Sequence, residues 1–167
     1  MDIIISKAAC SDAAGLLEYL NQVGTETDNL SFGSEGVGFS VEAETDYLSS
    51  IQDSKDGVML LAKHGEKIIG NASLDRYPRR MSHRGELSVT VLKEYWNQGI
   101  GGRLMSGVIS FAKENGFDII DLQVRSDNFS AIHLYEKYGF KRIGEHPAFF
   151  KVDKEDVAFV YMYLRVR

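Results

Sequence analysis

Residues 95–105 read YWNQGIGGRLM, and Gly99, Gly101 and Gly102 crowd three glycines into four positions. Glycine loses more backbone entropy on folding than any other residue, and here the loss falls where a helix is about to begin. Ile100, Leu104, Met105, Val108, Ile109 and Ala112 form the broad apolar stripe of a helix packed on a sheet. A Gly-rich turn before such a helix leaves the first amides unpaired at the positive end of the helix dipole, an arrangement that holds an anion. A fold for this chain has to bury the stripe while leaving the helix N-terminus open.

The neighbouring segments fit that demand. Residues 2–7, DIIISK, are β-branched and predict a strand; Ser11 caps a helix in which Ala13, Leu16, Leu17, Leu20 and Val23 share a face. Residues 24–40 are polar and Gly-rich, with Phe32 and Phe39, and predict a long loop of the kind that is either functional or mobile. Ser40 caps a second helix through about Asp53, with Glu42 and Glu44 in its first turn. VMLLAKH and KIIGNASLD flank the turn GE as a hairpin, and ELSVTVL is the next strand. The stripe helix runs to about Asn115, where Gly116 ends it. FDIIDLQV predicts a strand, RSDNFSAIHLYEKYGF a short capped helix stopped by Gly139, and KRIGE and DVAFVYMYL two closing strands. That order predicts a single α/β domain over residues 1–167.

Composition narrows the class. The chain is 44% hydrophobic and 26% charged, ordinary for a globular protein. It has no apolar run long enough for a membrane span and no basic, apolar leader at its start. A lone cysteine, Cys10, rules out an internal disulfide and fits a reducing compartment, so the expected address is cytoplasmic. Charge is uneven. Between Lys7 and Lys55 there is no Lys, Arg or His, but there are nine acids, among them Glu26, Asp28 and Glu35; from Lys55 onward the net charge is +4. This asymmetry reads either as two solvated faces or as a cationic ligand near the first third and an anionic one near the rest.

Two nucleotide readings of the glycine loop fit poorly. A dinucleotide fingerprint needs its glycines directly after the strand, whereas Lys93 to Gln98 intervene and Leu104 takes the third glycine position; a Walker loop needs Gly-Lys-Ser/Thr, which is absent. The pyrophosphate of coenzyme A fits better. VTVLKEYWNQGIGGRLM resembles the coenzyme A-binding motif of the GNAT superfamily of N-acetyltransferases, with Trp96, Asn97, Gln98, Gly99, Ile100 and Gly101 in the six signature positions. NFSAIHLYEKYGF resembles the second motif of the family at every fixed position, and the element order agrees from end to end. Trp96 departs from the Arg or Gln usual at the first position; because backbone amides supply most pyrophosphate contacts in such a loop, the departure need not abolish binding.

The resemblance implies a single-domain GNAT-like fold, with a mixed, mostly antiparallel sheet of about six to seven strands flanked by about four helices. It implies acetyl-CoA as co-substrate, no metal, and direct transfer of the acetyl group to a primary amine in a ternary complex. By the family pattern the cofactor side comprises Val89, Thr90 and Val91 on the strand, Trp96 to Gly102 in the loop, and Asn128. A Val91 backbone amide would stabilise the carbonyl oxyanion, and Tyr135 would protonate the departing thiolate. Read from the residues alone, Tyr135 with Ala131, Leu134 and Tyr138 is a core stripe, and Asn128 is a helix cap. Glu86 resembles the family's carboxylate base acting through water, and His83, an imidazole just before the same strand, is the other candidate base. Dimers are common in the family.

The acidic first third would then face a small-molecule or peptide amine, while the basic remainder faces the coenzyme phosphates. Swapping Glu26, Asp28 and Glu35 for amides is expected to raise the acceptor KM. RYPRRMSHR, with four arginines, is a weak nucleic-acid footprint and reads as an ion-paired loop; neither nucleic acid nor membrane is expected as a partner. A non-catalytic acyl-CoA sensor is the rival reading, and a dinucleotide oxidoreductase a more distant one.

Overall fold

The computed structural model describes residues 2–167. Its elements follow the predicted order: β1 (Ile3–Lys7), α1 (Ala13–Glu26), α2 (Val41–Ile51), β2 (Gly57–His64), β3 (Lys67–Arg76), β4 (Arg84–Val91), α3 (Ile100–Glu114), β5 (Ile119–Arg125), α4 (Phe129–Lys137), β6 (Lys141–Val152) and β7 (Glu155–Arg165). Local chemistry sets several boundaries. Ser40 Oγ accepts from the Ala43 amide at 3.0 Å and starts α2. Gly65 (φ 63°) turns the β2–β3 hairpin and Gly116 (φ 79°) follows α3, both in the left-handed region that side chains avoid.

Three boundaries differ from expectation. Ser11 does not cap the first helix: it lies in a 3-10 turn over Cys10–Asp12, and Asp12 precedes Ala13 without a side-chain cap bond. The first helix continues past Gly24 to Glu26, so the long loop is 27–40. A Cβ at Gly24 would stand 2.3 Å from the Gly33 carbonyl oxygen, so the loop backbone lies directly on this helical glycine. The KRIGE strand extends to Val152 as β6, with register shifts between Arg142 and Gly144 and between His146 and Phe150. Most of β6 is exposed on both faces, so it lacks the period-two pattern that marks a half-buried strand.

Seven strands form one sheet in the order β1-β2-β3-β4-β5-β7-β6, antiparallel at every junction except β4–β5. Residues opposite each other in a ladder share a face. Tyr19 of α1 bonds Thr90, which opposes Asn71, and Tyr47 of α2 reaches Asp75, so α1 and α2 lie on the face of these residues. A Cβ at Gly70 would meet Leu104 of α3 at 3.3 Å, so Gly70 and its partner Val91 face α3 on the other side. Between these layers Leu74, Leu92, Ile100, Leu104, Met105 and Phe117 are fully buried.

The parallel junction is short. Strands β4 and β5 pair only at Arg84–Ile119, Gly85–Ile120 and Glu86–Asp121. Beyond that point β4 stays with β3 to Val91 and β5 stays with β7 to Arg125. The sheet therefore opens into a wedge between Leu87–Val91 and Leu122–Arg125.

Candidate active site

Alternation along β4 decides which backbone groups face the wedge. The Leu92 amide donates to Ile69 O at 2.9 Å, so in the antiparallel ladder Thr90, Ser88 and Glu86 also turn their peptide groups toward β3. Leu87, Val89 and Val91 turn theirs toward the gap that β5 has left. Thr90 thus differs from its two neighbours in the expected cofactor set. Its backbone is spent on β3, and its hydroxyl donates to Asn71 Oδ1 at 2.6 Å while accepting from the Tyr19 hydroxyl at 2.6 Å. Burial raises the Tyr19 pKa, keeping it a donor. This chain braces β4 from its α1 face, where β4 has lost its strand neighbour.

The glycine loop lies at the mouth of the wedge. Asn97 (φ 60°) and Gly99 (φ 76°) are both left-handed, and Gly99 caps α3. The first intrahelical bond of α3 runs from Arg103 N to Gly99 O at 3.1 Å, leaving the amides of Ile100, Gly101 and Gly102 without helical acceptors. The two other glycines answer to the protein itself. A Cβ at Gly101 would sit 3.3 Å from Leu134 Cδ2 on α4, and one at Gly102 would sit 3.1 Å from the hydroxyl of Tyr138, the residue that follows α4. The end of α4 thus packs closely on the first turn of α3 and leaves little room for a side chain there. Arg103 reaches away from the loop to Ile3 O at 2.9 Å.

Trp96 is 45% exposed, and its indole N–H donates to Val91 O at 2.8 Å. Across a groove of about 510 Å³ stand Asn128 and Phe129 at the start of α4, with Asp28 from the 27–40 loop. Asn128 Oδ1 caps α4 by accepting from Ala131 N at 3.3 Å, which leaves its amide N–H groups free to donate outward. Tyr135, one helical turn past Ala131, is buried against Phe140 with ring centroids 5.8 Å apart. Burial pushes its pKa up to about 12, so its hydroxyl carries a proton at neutral pH.

Glu86 occupies the vertex, the last β4 residue paired with β5. It shares the α1–α2 face with Asp75 and Asp121, its neighbours in the two ladders. Asp121 is neutralised by Arg84 at 2.7 Å, whereas Glu86 has no ion-pair or hydrogen-bond partner among the described residues. Burial raises the Asp75 carboxyl, and the Glu86 charge adds to that rise. His83 lies three residues before Glu86, at the closed end of the junction, where its carbonyl accepts from Asp118 N and Ile119 N. That places it roughly 10 Å along the strand from the vertex, on the side away from the opening.

The acidic segment is partly used within the chain. Glu26 accepts from Lys93 N at 2.7 Å and from Gln22 at 3.1 Å, and Glu35 accepts from Gly33 N at 2.9 Å. Of the three carboxylates named as an acceptor wall, only Asp28 borders the groove. In RYPRRMSHR, Arg76 pairs with Asp56 at 2.8 Å and lies 3.8 Å over the Phe117 ring, and Arg84 pairs with Asp121, so two of the four arginines are structural.

The Acetyltransferase (GNAT) family pattern matches residues 26–140, from the end of α1 to the end of the second motif. The chain belongs to this family. A GNAT acetyltransferase structure from Streptococcus pneumoniae superposes with a TM-score of 0.94 at 29% identity, covering 98% of this chain and 99% of that one. A Salmonella typhimurium GNAT-fold structure holding acetyl-CoA, yncA, superposes at 0.85 with 20% identity over 99% and 94% of the two chains, a likeness of fold. Among curated sequences, the N-alpha-acetyltransferase RimI of Mycobacterium tuberculosis is 31% identical over 96 residues, 57% of this chain and 59% of that protein. The match thus spans less than two thirds of that relative, and about a quarter of two others. Membership replaces the dinucleotide reading: the GNAT sheet has one short parallel junction where a dinucleotide fold needs a parallel sheet.

Proposed function

We propose that the protein is an N-acetyltransferase that moves the acetyl group of acetyl-CoA to a primary amine by direct attack in a ternary complex. The wedge between β4 and β5 carries this reading, because it opens the sheet from face to face beside a free helix N-terminus. The residues present fit the coenzyme. The amides of Asn97 to Gly102 suit its pyrophosphate, and the unpaired β4 edge at Val89 and Val91 suits its amide-bearing arm. Acetyl-CoA supplies an activated thioester.

The chain supplies the rest. The Val91 amide, with Val89 beside it, donates to the thioester carbonyl oxygen as negative charge grows there. Glu86, uncompensated on the opposite face, takes the ammonium proton through water so that the amine lone pair is free to attack. As the C–N bond forms and the C–S bond breaks, the Tyr135 hydroxyl would give its proton to the departing sulfur and regain one from the amine nitrogen, which sheds its second proton as the amide forms. Asn128 donates to the coenzyme from the helix it caps. The acceptor enters from the α1–α2 face and the coenzyme from the α3 face.

Thermal unfolding tests the cofactor. Acetyl-CoA at about 100-fold over Kd adds roughly 2.7 kcal/mol, raising Tm by about 5 to 10 °C, and NADH leaves it unchanged. An amine screen reading free coenzyme A thiol then tests transfer. No stabilisation by acetyl-CoA overturns the reading; stabilisation with no thiol release for any amine favours the sensor.

A further inference from the structure

We propose that Trp96 holds the place on β4 that an amide of the coenzyme arm takes on binding, so that the indole and the ligand exchange at the Val91 carbonyl. This inference rests on the acetyl-CoA reading above. Past Glu86 the outward carbonyls of β4 have no strand partner, and among the described residues Val91 alone of them accepts from a side chain, the Trp96 indole N–H at 2.8 Å. Val91 is the last residue of β4, next to the loop that suits the pyrophosphate. An extended arm entering past that loop presents its amide N–H to this carbonyl before any deeper one. The indole fills that approach, and with 45% of its surface exposed it has room to leave. The residue that departs from the family's usual Arg or Gln is thus a donor that mimics the ligand.

Trp96 is the only tryptophan of the chain, so its emission reports its position directly. Acetyl-CoA is titrated while emission and calorimetric heat are followed in parallel. Adenosine 3′,5′-bisphosphate, which has phosphates but no pantetheine arm, serves as control. The expected result is an emission change with acetyl-CoA at the calorimetric midpoint, and none with the bisphosphate. Trp96→Phe keeps an aromatic ring and deletes the N–H, so it is expected to bind acetyl-CoA roughly two- to tenfold more tightly once the competing hydrogen bond is gone. Unchanged or weaker binding by the variant, or calorimetric binding with no emission change, overturns the exchange and leaves the acetyl-CoA reading standing. Absence of acetyl-CoA binding by both calorimetry and thermal shift overturns the underlying reading instead.

Discussion

The Tyr138 hydroxyl donates to the carbonyl oxygen of Gly102 across 2.8 Å, joining α4 to the first turn of α3. With its proton given to Gly102, the same oxygen accepts from Ser106 Oγ at 3.1 Å. The helix that carries Tyr135 and the loop that suits the coenzyme phosphates are therefore one packed unit.

Tyr138→Phe removes both hydrogen bonds while keeping the ring. It is expected to cost about 1 to 2 kcal/mol, lowering Tm by about 2 to 8 °C. Thermal unfolding without ligand reads this directly, and an unchanged Tm would mean the contact adds no net stability.

Glu86→Gln keeps the shape of the side chain and removes its basicity. The proposed role predicts a fall in kcat of about 10² to 10⁴, with acetyl-CoA affinity held within a factor of about two. His83→Gln, at the closed end of the junction, is expected to leave kcat within about threefold. Steady-state rates of both variants with one amine decide between the two bases.

Tyr135→Phe is expected to lower kcat by a similar factor, with free coenzyme A release as the measurement. Because burial lifts this hydroxyl to about 12, the wild-type rate shows no descending limb from it in assays up to about pH 10. A descending limb near the ordinary phenol value that vanishes in Tyr135→Phe would contradict its burial.

Asp12 couples stability to acid. Burial pulls its carboxyl up, but the Ala9 amide and Lys63 together outweigh that and hold it below the ordinary value. A depressed carboxylate stabilises the fold above its unfolded pKa and loses that contribution as pH falls through its folded pKa. Asp12→Asn is thus expected to cost about 1 to 2 kcal/mol at pH 7, with the difference from wild type shrinking below about pH 4. Urea unfolding at the two pH values measures it.

Much of this arrangement was legible along the chain, because its signals are local. Ser40 and Asn128 cap the helices that follow them, Gly116 stops α3, and the two motifs lie in order. Contacts between distant residues were not legible. That Gly101 and Gly102 lie against Leu134 and Tyr138 depends on how the end of α4 docks. The Glu26 carboxylate on the Lys93 amide spans 67 residues and leaves no periodic trace. That the peptide of Thr90 turns to β3 while those of Val89 and Val91 turn outward depends on which strands flank β4, which the order of elements does not reveal. The full length of β6 was hidden because a strand exposed on both faces has no apolar alternation to reveal it.

The wedge also bears on how such a protein changes over time. On the proposed reading, donor and acceptor approach the vertex from opposite sides of one sheet, on surfaces built from different stretches of chain. Substitutions in α2 would then remodel the choice of amine while the loop before α3 goes untouched, whereas α1 holds that loop through Glu26 on the Lys93 amide. One donor-handling half can thereby be kept through many lineages while the other half drifts from acceptor to acceptor.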